Sequence, residues 1–201
     1  MGKSAVGNEI HAQLSVAGVR HCVIDGDFLD MAYPSAEEHG LAERNLAAMW
    51  ANYRVLGYRR LIYINTASVL GEVTDRLTAA MGDSPHVIGV LLTCTDETAL
   101  RRLSQREKGS TLDAHLERSA AMAYRLNSGS RPQIRRVATD ERSIIAVATE
   151  IIRFAETSVT RFGSGCWRPS GSTAGSGPRT AASTRNGHGD TVSGLSMPTP
   201  G

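Results

Sequence analysis

Gly2, Lys3 and Ser4 stand in the opening stretch MGKSAVGNEI, and these residue types in this order can hold a phosphate. The lysine supplies a charge for β and γ oxygens, the hydroxyl after it can ligate magnesium, and a helix starting here points its free N–H groups at an anion. Only the last three positions of G-x-x-x-x-G-K-[ST] are present, so the tripeptide alone is a partial match. Asp25 and Asp27 follow, in VIDGD at the end of a short apolar run. A carboxylate beside a phosphate can orient or deprotonate an attacking hydroxyl, or hold magnesium through water. VIDGD also reads simply as a strand running into an Asp-Gly turn.

The elements that position these groups alternate along the chain. Val6, Ile10 and Leu14 recur at four-residue spacing after Ser4 and predict a helix packed on a sheet, ended by Gly18. HCVI from His21 to Ile24 predicts a strand, and Leu46, Met49, Trp50, Tyr53 and Leu56 mark one side of a helix. LIYI from Leu61 to Ile64 and VIGVLL from Val87 to Leu92 predict two more strands, with a helix from Ser68 to Met81 between them. Helices over Glu97–Lys108 and Leu112–Leu126, the strand QIRRVA and a helix over Glu141–Glu156 complete the pattern. Such alternation argues for an α/β fold with a parallel sheet covered on both faces.

The stretch from Gly2 to Asp30 resembles the start of the small-molecule P-loop kinases, most closely the adenylylsulfate kinase branch, in which a GKS[ST] helix precedes a strand ending in L-D-G-D. The resemblance implies a nucleoside-triphosphate hydrolase type of three-layer α/β/α fold with sheet order 2-3-1-4-5, ATP and Mg2+ as cofactors, and a small-molecule hydroxyl as acceptor. It implies that Gly2, Lys3 and Ser4 hold ATP, that Ser4 and Asp27 serve magnesium, and that Asp25 or Asp27 positions the acceptor. LLTCTDETALRRLSQREKGSTLDAHLERSAAM is similar to the family's fourth strand, helix and lid, where arginines meet the charge on the transferring phosphoryl group. Arg102 and Arg106, four apart on one helix face, are the first candidates, with Arg118 behind them. The same helix also reads as a solvated face carrying Glu97, Arg101 and Glu107. Thr139 and Asp140 fall in the loop that borders the adenine in this family, and also suit an N-cap. The strand LIYI runs into Asn65 rather than an aspartate, and no metal role is assigned to it.

With 201 residues and 41% hydrophobic content the chain can bury one sizeable core. A formal charge of +2, with the basic residues dispersed, gives no reason to expect nucleic acid or an anionic membrane as partner. No apolar run approaches a membrane span and the polar start lacks a signal-peptide core, so a cytoplasmic location is expected. Cys22, Cys94 and Cys166 are odd in number, and the first two lie in apolar runs that suggest buried, reduced thiols. None of the six histidines suggests a metal pair, with His11 off the apolar stripe of its helix and His21 ahead of a strand.

From Arg161 onward the chain holds nine of its twenty glycines and four of its seven prolines with few apolar residues. This composition favours a disordered tail over residues 159–201 behind a folded domain over residues 1–158. If the resemblance holds, the strand preceding the phosphate loop is missing, Met1 is internal to that loop, and the loss falls at the middle of the sheet. The leading expectation is an ATP-dependent phosphotransferase acting on a small-molecule hydroxyl. The alternatives are a nucleotide-binding regulatory module without transfer activity and an inactive, truncated remnant.

Overall fold

A computed structural model describes residues 2–35, 37–106 and 112–162, with the side chains at 37, 103, 105, 106, 112–118 and 159–162 left out. Helix α1 spans Lys3–Val16 and leads into strand β1, Cys22–Asp25, and a short 3-10 turn over Gly26–Phe28. Helix α2, Leu41–Val55, precedes β2, Leu61–Ile64, and α3, Gly71–Met81, precedes β3, Val90–Thr93. Helices α4, Asp96–Arg106, and α5, Leu112–Gly129, separate β3 from β4, Arg135–Ala138, and α6 closes the chain at Ile144–Phe162. The α/β alternation expected from the sequence is therefore present, and the residues of the expected tail beyond 162 lie outside those described.

Two parallel ladders form. β1 pairs with β2, Cys22 opposite Leu61 and Asp25 opposite Ile64, and β3 pairs with β4, Val90 opposite Arg135 and Thr93 opposite Ala138. Each is a two-stranded sheet, and among the described residues no ladder joins β2 to β3. Each sheet has its own core. Ile24, Leu29, Leu46 and Leu77 pack together with Leu61 and Tyr63 on one, while Val6, Val137 and Val147 pack with Ile10, Val90, Leu92 and Ile151 on the other.

Helix α1 packs against both sheets. Val6 and Ile10 face the second core, and Gly7 lies so close to Ile64 of β2 that a Cβ on Gly7 would sit 2.3 Å from Ile64 Cδ1. A Cβ there requires the Ile64 side chain or the helix to give way. Burying Val6 contributes about 1.5–3 kcal/mol to holding the helix on the second. A smaller tie runs between α3 and the segment entering β4, where Leu70 bridges Ser130 and Arg131 pairs with Asp75.

Several local expectations shift. On α2, Leu46 and Trp50 are buried, whereas Leu56 lies beyond the helix and is 66% exposed. The last helix starts at Ile144 and not at Glu141, because Glu141 adopts a left-handed φ of 52° and Ser143 Oγ accepts from Ala146 N at 3.1 Å as the cap. Thr139 and Asp140 are thus not the N-cap of α6. Cys22 is buried as expected, but Cys94, at the end of β3, is exposed.

Replacing Gly7 by alanine should lower stability by about 1–3 kcal/mol even though alanine is the better helix former. Combining Gly7→Ala with Ile64→Val, which removes Cδ1, should cost less than the sum of the single changes. Urea denaturation of the four proteins checks this, and additive losses would mean that the Gly7–Ile64 contact does not limit the approach of α1.

Candidate functional site

The amino end of α1 has no cap of its own. Gly2 precedes the helix in extended conformation with no side chain to cap it, and no acidic residue lies in the first turn. The first N–H groups and the positive end of the helix dipole are therefore left to groups from elsewhere. Those groups come from the carboxyl end of β1.

Ser4 Oγ donates to Asp25 Oδ2 at 3.0 Å, and Lys3 Nζ lies 3.4 Å from Asp27 Oδ2. The two carboxylates are held by the turn between them. Asp25 Oδ1 accepts from Asp27 N at 3.1 Å, which caps the 3-10 turn, and Gly26 opens the turn where a Cβ would lie 2.3 Å from the Tyr63 hydroxyl. Tyr63 is thereby wedged beneath the turn. Burial first, and then the nearby carboxylates of Asp30, Glu43, Asp27 and Asp25, push its phenol up to about 12, so it stays protonated.

Asn65, just beyond β2, joins the same group. Its Oδ1 accepts from Ala67 N at 2.8 Å, which turns its Nδ2 to donate to Asp27 Oδ1 at 3.0 Å. The structure thus brings Lys3, Ser4, Asp25 and Asp27 together as the sequence suggests, and adds an amide donor that the sequence reading left without a role. The only signal for Asn65 was its place after a strand, since a neighbour on the turn after β1 is not legible from a position 38 residues away.

A second group forms at the carboxyl ends of β3 and β4. Thr139, almost fully buried, donates through both N and Oγ1 to Thr93 O, at 2.8 and 3.0 Å. Arg102 grips the same residue, Nη1 to Thr139 Oγ1 at 3.0 Å and Nη2 to Thr139 O at 3.1 Å. Asp140 Oδ1 accepts from both N and Oγ1 of Thr95 at 3.0 Å, and Thr95 Oγ1 in turn accepts from Thr98 N and caps α4. Asp140 therefore braces the start of α4. Arg106 and Arg118 lie on α4 and α5, but their side chains are outside those described.

In this arrangement Arg102 engages Thr139 and not the Lys3 group. Ligands of open parallel sheets bind beyond the carboxyl ends of the strands, and both groups stand there. An open cleft of about 790 Å³ lies elsewhere, against Gly89 and Gln133 at the amino ends of β3 and β4, and none of the sequence-predicted site residues lines it. Among the described residues no three His, Cys, Asp or Glu side chains gather to hold a metal ion, and no helix is long and apolar enough to cross a membrane.

No family model matches the chain, and no curated protein matches it. Among solved structures the chain is similar to an APS kinase of Mycobacterium tuberculosis, determined in complex with AMPPNP and APS. The two share 22% identity with a TM-score of 0.49, over 77% of this chain and 91% of that one.

The Asp140 brace gives a pH signature. Hydrogen bonds from Thr95 and Thr98 hold its carboxyl below the ordinary 3.8, so whatever stability it adds is complete above 3.8 and is lost as pH falls through the lower folded value. The Thr95 amide resonance should titrate with a midpoint below 3.8, and Asp140→Asn should abolish that titration. A midpoint at or above 3.8 would mean that the brace is absent in solution.

Proposed function

We propose that the chain is a nucleotide-binding protein of the P-loop kinase type whose reaction moves the γ-phosphoryl group of ATP to a small-molecule hydroxyl. The observation that carries this reading is the convergence of Lys3 and Ser4, at an uncapped helix N-terminus, on Asp25 and Asp27. The donor set fits the cofactors. A polyphosphate would be held by Lys3 and the first N–H groups of α1, and magnesium, which takes few protein ligands and keeps waters, would be served by Ser4 and Asp27. When bound, ATP supplies the transferable phosphoryl group and magnesium screens its charge.

The chain's own residues contribute position and proton handling. Lys3 and Asp27 are each about 40% exposed, and such a pair is worth about 0–1 kcal/mol, so a phosphate can take the lysine from the carboxylate at little cost. Asp25 or Asp27 would then face the acceptor hydroxyl and draw on its proton, with Tyr63 beneath the turn keeping the carboxylates in place. Thr139 and Asp140 are proposed to border the base, and Arg102 and Arg106 to meet the phosphates, which for Arg102 requires release from Thr139.

The split sheet supports a further part of the proposal. The pairs β1–β2 and β3–β4 correspond to the flanks of the order 2-3-1-4-5, and a strand between β2 and β3 would satisfy both free edges and complete the loop ahead of Gly2. Translation of the nucleotides upstream of Met1 tests this. An in-frame apolar strand followed by G-x-x-x supports it, and a stop codon immediately before Met1 overturns it.

A module that binds nucleotide without transferring phosphate is the second reading. It draws on the partners both carboxylates already hold, Asp25 with Ser4 and the Asp27 amide, and Asp27 with Lys3 and Asn65. Isothermal titration with Mg-ATP should show saturable binding that Lys3→Ala weakens by about tenfold or more, the worth of one charge-assisted contact. Full affinity in that variant would refute the site. ADP release in the presence of a panel of hydroxylated metabolites separates transfer from binding alone.

A further inference from the structure

Phe28 follows directly on the two carboxylates of the Lys3 group, and its neighbours keep it out of the core. Leu29 is buried with Ile24, Leu46 and Leu77, its N–H donates to Gly26 O at 3.3 Å, and its carbonyl accepts from Asn45 Nδ2 at 2.6 Å. On the other side Asp27 is tied to Lys3 and Asn65. Clamped between these two residues, Phe28 is 67% exposed, and Met31 and Tyr33, further along the same segment, are more so. Side chains three apart in a 3-10 turn fall on one side, which puts Phe28 in line with Asp25. Single apolar residues on a surface are ordinary. Three large ones within six residues, beside an ion pair that is itself open to solvent, mark a surface that a ligand covers.

The charge around this apolar face selects the ligand. Between Arg20 and Arg44 the sequence holds six carboxylates and neither lysine nor arginine. Asp25, Asp27, Asp30 and Glu43 all act on the Tyr63 hydroxyl beneath the turn, so they share one neighbourhood. Lys3 faces Asp27, and Arg76 faces Glu43 at 3.2 Å, whereas Asp25 and Asp30 meet no cation among the described residues. An anionic molecule would enter against this unbalanced negative charge, and a cation would be drawn in. We propose that the acceptor is a hydroxylated amine with an aromatic or aliphatic body, its apolar part on Phe28, its ammonium group toward Asp30 and its hydroxyl toward Asp25. An ammonium group is also attracted to the face of an aromatic ring, so Phe28 contributes both apolar area and affinity for the charge. This assignment rests on the reading of the Lys3 group as the place of phosphoryl transfer, and it makes Phe28 the residue that sets specificity there.

Phenylethanolamine, phenylethylene glycol and mandelate share a phenyl ring and a benzylic hydroxyl and differ in charge, as cation, neutral molecule and anion. Titrated into the chain and followed by backbone amide shifts, phenylethanolamine should give saturable shifts over residues 26–33, with the glycol weaker and mandelate weaker by about tenfold or more. Ethanolamine, which keeps the amine and the hydroxyl without the ring, should also bind about tenfold more weakly, as should phenylethanolamine on Phe28→Ser. Mandelate or ethanolamine binding as tightly as phenylethanolamine would overturn the assignment, and so would an absence of saturable phenylethanolamine shifts over that segment. These comparisons use the unaltered protein and do not depend on whether the variant folds. Mg-ATP is titrated separately. If it leaves Lys3 and Ser4 unmoved, the kinase reading fails and this assignment with it, whereas a preference for mandelate with those shifts present defeats this assignment alone.

Discussion

Two parallel strand pairs that share no ladder among the described residues are held beside one another by a helix, and the approach of that helix depends on a missing side chain. At Gly7 the backbone of α1 meets Ile64 directly, while the adjacent Val6 is buried against Val137 and Val147. One turn of helix thus touches the second core and the face of β2 that carries Ile64. Among the described residues no backbone ladder joins β2 to β3, and the two pairs meet through side-chain packing on α1, which has no fixed register. The same helix begins at Lys3, so the contact that joins the halves also sets where the lysine and serine stand relative to the end of β1.

The chemistry of the Lys3 group follows from that placement. A helix N-terminus carries partial positive charge, and the two carboxylates near it come from a strand-end turn rather than from the helix itself. Tyr63 under Gly26 and Asn65 on Asp27 fix the turn from the β2 side, so α1, the turn after β1 and the end of β2 together determine one small polar cluster. Its ion pair is exposed and weak. Weakness is useful where a ligand of higher charge must displace one partner without unfolding the turn.

The sequence disclosed the alternation of elements because apolar runs such as LIYI and the four-residue spacing of Val6, Ile10 and Leu14 are local signals. It disclosed Lys3, Ser4, Asp25 and Asp27 because residue type and order are also local. What it hid depends on pairing. Asn65 reaches Asp27, His11 reaches His21, and Arg102 reaches Thr139 across distances in sequence that no periodicity encodes. Boundaries failed for a related reason. VIGVLL looks like one strand, yet pairing starts only at Val90, where the ladder with β4 begins, and the start of α6 was decided by the hydroxyl of Ser143 rather than by the apolar residues around it.

If α1 delivers Lys3 and Ser4 to the end of β1 for phosphate binding, then amide mapping by heteronuclear NMR during titration with Mg-ATP is the most direct measurement. The largest shifts should fall on Lys3, Ser4 and Asp25 through Asp27, and should saturate together. Saturating shifts confined to residues outside α1 and the β1 turn, with Lys3 and Ser4 unmoved, would contradict the account.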